Sequence, residues 1–449
     1  MREENMFMKD HHLIIGAGPI GLASAKSLKL ANIPYHQIEA DNDVGGNWYH
    51  GVYETANILS SRKATEYPDF PMPKNYPDFP SGAQMLAYYK IYTDHYQLRE
   101  NIQFNTKVVW VTPTDDNLWL VCLDNGEKRI YKGVLVCNGH HWSKKYPKYE
   151  GEFNGETFHS KDYKSPEQLR GKRVLVIGAG NSAFDISSEC ARVSKKCYLS
   201  VRRGIWVFPK TFMGKPLTEF KVKVVPNWMK RRLAKLLLKL VVGSHEDYGF
   251  PKPTIGIFDR HPTINTDTLI NIKNGRISVK VGVHKFTGSE VEFSDGSKEE
   301  IDTIVYATGF KVDFPFLPSQ LSRVENNSIV KAYGYGMYDD YKGLYIIGWF
   351  QPRGGVGSLA APYANLLAKM INVQDEFETP LGMALKEIGE KLPDTHLFGD
   401  IDFLNWINKK EKQLNKIKKI GLKLDKRNGE FKNKVIEEKE PSGKKIKVY

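Results

Sequence analysis

The chain reads as an α/β protein of two Rossmann-like units, each a three-layer arrangement of helices around a parallel sheet, the second inserted into a discontinuous first. Three observations predict this. Gly16-Ala17-Gly18-Pro19-Ile20-Gly21 and Gly178-Ala179-Gly180-Asn181-Ser182-Ala183 each follow a short apolar run and open a helix-like stretch. About 20 residues after each turn comes an ionisable residue, Glu39 for the first and Arg202 for the second, where such units contact a ribose. Far downstream, Gly343 to Gly348 reads as a further strand and Ser358 to Met370 as a helix, pieces with no place in the second unit.

The first unit follows from its residues. His12-Leu13-Ile14-Ile15 is a short buried strand. Gly16 permits the tight turn, Gly18 lets backbone approach a pyrophosphate, and Gly21 lets the helix pack close to the strand. A helix from Pro19 to Leu30 then aims its N–H groups and partial positive charge at the phosphates. Tyr35 to Ile38 is the next strand, and Glu39 at its end would accept both ribose hydroxyls while repelling a 2′-phosphate. FAD or NAD, not NADP, suits that site.

The second unit differs at the discriminating position. Arg173 to Ile177 is its strand, Asn181 to Ala191 its helix, and Cys197 to Val201 the following strand, ending in Arg202-Arg203. A guanidinium there pairs with a 2′-phosphate, which argues for NADPH over NADH. Gly178, Gly180, Asn181, Ser182 and Ala183 form the phosphate turn, with Ala183 a small substitute for the third glycine. Two dinucleotides side by side provide a route for hydride from one to the other.

Phe153, Gly155, His159 and Tyr163 fit the pattern F-x-G-x-x-x-H-x-x-x-Y. With Gly45-Gly46-Asn47-Trp48, Tyr67-Pro68-Asp69-Phe70-Pro71, Cys137-Asn138-Gly139-His140-His141 and Tyr306-Ala307-Thr308-Gly309-Phe310, the chain resembles the flavin-containing monooxygenases over roughly residues 10 to 370. That resemblance implies that NADPH reduces FAD, that NADP+ stays bound, and that oxygen adds at the flavin C4a to give a hydroperoxide. A soft nitrogen or sulfur nucleophile of a small molecule then takes the distal oxygen. It implies FAD contacts from Gly46, Asn47, Trp48, Thr308 and Gly309, beside Gly16, Gly18, Pro19, Ile20, Gly21 and Glu39 of the turn. His159 would link the two domains and keep NADP+ over the flavin. Tyr163-Lys164 ends the fingerprint, where ketone-inserting relatives carry Trp followed by Pro or Asp. The family's asparagine beside the flavin falls at Leu59, with Asn57 two residues earlier as a substitute. Asn57, the Leu59 position and His159 are the catalytic candidates. Similarity to indolepyruvate monooxygenases from His159 to Leu175 keeps oxidative decarboxylation of a 2-oxo acid as an alternative. An NADPH oxidase or reductase is another, and a nucleotide-binding redox sensor is the non-enzyme reading.

Composition fits these expectations. A chain of 449 residues, 41% hydrophobic and 26% charged, holds two ordinary domains. Four cysteines, at 122, 137, 190 and 197, include no C-x-x-C, which disfavours a dithiol relay and a disulfide framework. His245 and His261 lack metal-ligand spacing, so no metal is expected. The first residues are polar, no apolar run of about 18 residues exists, and the cytoplasm is the expected compartment. The net charge of +13 concentrates beyond residue 409. No nucleic-acid module accompanies it, so the tail is expected to be a solvated helix near Trp406 to Ile420 followed by frayed chain. Partners reduce to a small-molecule substrate and O2, with a homodimer left open.

The expected boundaries are 1–155 for the first part of the FAD domain, 156–164 for a linker carrying the fingerprint's end, and 165–302 for the NADPH domain. The second part of the FAD domain spans 303–400 and the basic tail 401–449. Residues 101 to 137 read as a β-meander leading back into the sheet, and 282 to 293 as hairpin strands. An insertion at 208–265 lacks βα rhythm but contains an amphipathic helix from Pro226 to Val242. Its apolar face, Met229, Leu233, Leu236, Leu237 and Leu240, is expected to pack on its own domain, with a lid and a membrane-surface helix as the other readings. The aromatic, proline-rich run from Tyr67 to Pro80 is expected to seal a surface loop onto the core.

Overall fold

A computed structural model describes residues 6–220 and 225–436. The first sheet contains β1 (Met6–Ile15), β2 (Tyr35–Ile38), β3 (Ile102–Gln103), β4 (Val108–Pro113), β5 (Trp119–Leu123) and β6 (Lys128–Val136), in the order β3-β2-β1-β6-β5-β4. β3, β2, β1 and β6 are parallel, whereas β4, β5 and the first half of β6 form the antiparallel meander. The meander therefore extends the nucleotide sheet itself. A register shift between Met8 and His12 lets β1 follow β6 along its whole length.

The second sheet contains β7 (Glu156–His159), β8 (Arg173–Ile177), β9 (Lys196–Ser200), β10 (Ile277–Lys280) and β11 (Thr303–Tyr306), all parallel, in the order β10-β9-β8-β11-β7. Two boundaries change here. Residues 156–159 are an edge strand, not a linker, and 303–306 is an inner strand of this sheet, not the start of the returning first domain. The chain crosses back only after Tyr306, where Phe310–Lys311 pairs with Ser143–Lys144. The last strand of the first sheet, β12 (Leu344–Ile346), then lies parallel to the second half of β6.

The helices that matter are α1 (Pro19–Leu30), α2 (Gly82–His95), α3 (Asn181–Val193), α4 (Asn227–Val241), α5 (Gly357–Gln374), α6 (Asp400–Lys412) and α7 (Leu414–Asn428). Pro19 starts α1, where its fixed φ suits the helix and its missing N–H loses nothing. Small buried residues on α1 admit α5 closely; Ser27 donates to Asn365 across the contact at 2.8 Å. The loop after Tyr67 does seal the core. Tyr67 and Met72 are buried, and the Tyr67 hydroxyl donates to the Pro19 carbonyl at 2.5 Å.

The tail is not a lone solvated helix. Phe403, Ile407 and Ile417 are buried in the main core and Leu424 is buried beyond them, so α6 and α7 are parts of the fold. They are broken at Gln413, inside the expected helix. Residues 437–449, the rest of that expectation, lie outside the described residues. The insertion is closed at its neck, where Val207–Phe208 pairs parallel with Thr263–Ile264, and has its own cluster of Phe208, Leu238, Ile257 and Ile264. The expectation that the stripe of α4 packs on its own domain is overturned: Met229, Leu233, Leu236 and Leu240 are exposed, and Leu238 packs instead.

Candidate functional site: two glycine turns and the crossing between them

The first turn is walled by protein. A side chain at Gly21 would place its first carbon 2.0 Å from the Gly16 carbonyl oxygen, and one at Gly16 would meet Cys137 O at 2.8 Å. Gly46, at φ +54°, comes so close that a Cβ on it would sit 2.9 Å from the Gly18 Cα. Pro19 and Ile20 open the helix beside this contact, and Ile20 packs under Gly348. Glu39 is buried at the end of β2, accepting the Ala17 N–H at 2.5 Å and the Asp41 N–H at 2.9 Å. Burial pushes its carboxyl above the ordinary range, with those two N–H donors opposing the rise. A carboxylate so placed, beside a turn of bare backbone, fits a ribose and pyrophosphate. Asn47 and Trp48 begin the wide π-helical turn after Gly46; Asn47 accepts from Lys161, and Trp48 packs against the core.

The second turn faces outward. Gly178, at φ +147°, is pressed against Ala307, whose carbonyl oxygen would lie 2.2 Å from an added Cβ. Gly180 has no atom within 4 Å of such a carbon, so backbone is bared there for a phosphate. Ala183 is buried and Ser182 half-buried at the start of α3. Arg202 and Arg203 are exposed just past β9. This set fits a dinucleotide carrying a 2′-phosphate. Asn181 differs from the expectation: its amide donates to the Pro262 carbonyl at 3.1 Å and accepts from the Ile264 N–H at 2.7 Å, tying α3 to the insertion's neck. Only its backbone N–H is left for a phosphate.

His159 is a strut. It is fully buried; Nδ1 accepts the Lys161 N–H at 3.1 Å, so Nε2 donates to the Gly309 carbonyl, also at 3.1 Å. Burial holds its pKa below the ordinary value, and the ring is neutral. Both nitrogens being used by backbone, His159 has no proton to trade with a substrate. It pins Gly309, at φ +80°, to the end of β7, and Thr308 donates to the Lys145 carbonyl alongside. Asn57 is exposed with its backbone bridged to Ser81, while Leu59 packs against the insertion's cluster.

The structure adds groups that sequence reasoning passed over. Lys161 sits between His159 and Tyr163 of the fingerprint and donates to Asn47 across the domains at 2.7 Å. Burial and the neighbouring Lys164 lower its pKa to about 8. His140 and His141 pack edge to face at 4.2 Å, and Phe310 lies against both His141 and His159. Burial pushes the His140 imidazole below its ordinary pKa, whereas His141 beside it is exposed to solvent. The motif Cys137 to His141 was the available signal. The domain contact includes polar bonds. Tyr53 donates to Asp185 at 2.6 Å and Thr55 to Glu189, which also accepts from Tyr163 of its own unit at 2.5 Å.

Comparison with known proteins agrees with this geometry. The flavin-binding monooxygenase-like family model matches residues 9–400. Flavin-containing monooxygenase 5 of Homo sapiens is 31% identical over 417 residues, covering 84% of this chain and 77% of the relative. Flavin-containing monooxygenase 2 of Homo sapiens is 32% identical over 390 residues, covering 80% and 72%. In fold, the chain is similar to a flavin-containing monooxygenase from Stenotrophomonas maltophilia (TM-score 0.62, 20% identity, 82% of this chain and 98% of that one). It is also similar to the closed form of cyclohexanone monooxygenase (TM-score 0.66, 16% identity, 83% and 86%). Two glycine turns, one beside a buried carboxylate and the other beside two exposed arginines, thus sit in a chain that belongs to the flavin-binding monooxygenase-like family, as a flavin-dependent oxidoreductase using FAD and NADPH.

Proposed function

We propose that FAD occupies the first turn and NADPH the second, and that the enzyme oxygenates a soft nitrogen or sulfur nucleophile of a small molecule. The observation that carries the reading is the pairing of Glu39 with one turn and Arg202-Arg203 with the other, with the chain crossing from the second sheet at Ala307 toward Lys145 at Gly309. Bound flavin supplies the oxygen activation, at C4a; the protein's part is position, polarity and exclusion of water. Gly16, Gly18, Gly21 and the backbone at Gly46 hold the diphosphate, and Glu39 holds the ribose. Gly178, Gly180, Ser182 and Ala183 hold the second diphosphate. His159 keeps the crossing rigid rather than moving a proton. Lys161 and Asn47 tie the fingerprint segment to the first turn. The FAD domain then runs from the N-terminus to about 155 and again from 307, with the NADPH domain between. Four free, buried cysteines suit a reducing compartment, the cytoplasm.

Incubating FAD-loaded enzyme with NADPH, ¹⁸O₂ and a thioether or tertiary amine tests this reading. One ¹⁸O atom in a sulfoxide or N-oxide, with NADPH use accelerated by the acceptor, is expected. Carbon dioxide released from a 2-oxo acid would point to decarboxylation instead. Hydrogen peroxide equal to the NADPH consumed, with no labelled product from any acceptor, would point to an oxidase.

A further inference from the structure

Two carboxylates on α3 are gripped from the other unit. Asp185 and Glu189 stand four residues apart, about one turn of helix, and so share a face. The loop that follows Gly46 reaches both. Its Tyr53 hydroxyl donates to one oxygen of Asp185 at 2.6 Å, and its Thr55 hydroxyl donates to one oxygen of Glu189. The second oxygen of each is taken from within the second unit: Asn265 donates to Asp185 at 2.6 Å and Tyr163 to Glu189 at 2.5 Å. Each carboxylate is thus a junction with one bond from each unit. Burial and the Asp185 carboxylate drive the Tyr53 phenol pKa upward, so the proton stays on its oxygen and Tyr53 remains the donor. The loop is tied again beside them. The Glu54 N–H donates to the Lys164 carbonyl at 2.9 Å, and the Lys164 ammonium donates to the His50 carbonyl at 2.6 Å.

Both sides of this clasp bear on a glycine turn. In the first unit, the π turn Asn47–Gly51 joins the loop to Gly46, which presses on Gly18. In the second, α3 begins at Asn181, directly after Gly180 and four residues before Asp185. The chain links the units before Glu156 and after Tyr306, and two backbone links leave a hinge. We propose that Asp185 and Glu189 are positioning residues for hydride transfer: gripped by Tyr53 and Thr55, they fix α3, and the turn at its head, at the angle that brings one nucleotide against the other. The inference rests on the assignment of FAD to the first turn and NADPH to the second. Hydride passes from NADPH to FAD, which takes both electrons, and the two carboxylates exchange no proton with either. A misplacement of about 1 Å between the rings costs on the order of 100-fold in rate, with neither binding site lost.

The double variant Tyr53→Phe/Thr55→Val tests the proposal. It removes the first unit's two hydroxyl donors, while Asn265 and Tyr163 still hold the carboxylates and neither glycine turn is touched. In anaerobic mixing of the FAD-loaded, full-length variant with NADPH, the limiting rate of flavin bleaching should fall about 10- to 100-fold, with flavin content and half-saturating NADPH within about twofold of native. Thr55→Val alone should lie between, and Thr55→Ser, which keeps the hydroxyl, should bleach at the native rate. An unchanged limiting rate in the double variant would overturn the proposal even if the urea midpoint falls, because the bonds would then serve stability alone. So would a loss confined to half-saturating NADPH, which would make the loop part of the binding site. A native enzyme whose flavin never bleaches would overturn the nucleotide assignment and the inference with it, a failure that the native control tells apart from that of the clasp.

Discussion

The two glycine turns are built alike and finished differently. At the first, Gly46 presses on Gly18, Tyr67 closes over Pro19, and Glu39 is buried. At the second, Gly180 is bare and the two arginines stand exposed. Enclosure slows exchange, and exposure allows it. On the proposed assignment, the same βαβ unit would serve a resident cofactor in one place and a reactant that comes and goes in the other.

Breaking the enclosed turn should give the largest effect. Gly21→Val drives a branched side chain into the Gly16 carbonyl. The purified protein should be colourless by flavin absorbance, and retained flavin would remove the first-turn assignment. Next comes the exposed turn. Arg202→Ala should raise the KM for NADPH roughly 10- to 100-fold, the range of a lost charged hydrogen bond, and leave that for NADH and the flavin content unchanged. Equal effects on both nucleotides would erase the contrast in charge preference.

Lys161 sharpens the comparison because it belongs to the fingerprint and touches the first turn's loop. Its folded pKa is about 8, below the ordinary 10.5. Below about 8 both states carry the proton; between about 8 and 10.5 only the unfolded chain does, so this group makes stability rise with pH across that window. Urea midpoints measured through that window should show the rise in the native enzyme and a smaller one in Lys161→Met. An identical slope in both would show that the ammonium is not held as described. The smallest effect is expected at Leu59. Its replacement by Asn puts a polar group against the insertion's cluster and should lower stability by about 1 kcal/mol, read from the same midpoints, with the flavin spectrum unaltered.

Both turns were legible in the sequence because their chemistry is local. A tight turn needs glycine, a helix start tolerates Pro19, and the ribose contact comes at a set distance along one βαβ unit. Sheet membership was not legible. Residues 156–159 (Glu-Thr-Phe-His) and 303–306 (Thr-Ile-Val-Tyr) are four-residue strands that would pair as well in either sheet, and only long-range packing assigns them to the second. The amphipathic pattern of α4 was plain, but a pattern says which face is apolar and not what it faces. Lysines hid the tail's role, since Ile417 and Leu424 bury fully amid a run of cations that reads as solvated. His159 stood out in the fingerprint; that both its nitrogens are spent on backbone depends on Lys161 and Gly309 meeting it in space.

The central claim is that one chain seats two nucleotides close enough for hydride to pass between them. Rapid anaerobic mixing of the FAD-loaded enzyme with NADPH, while flavin absorbance is followed, tests it most directly. The flavin should bleach at a rate that saturates with NADPH and is far slower with NADH at equal concentration. A flavin that stays oxidised at saturating NADPH would contradict the account.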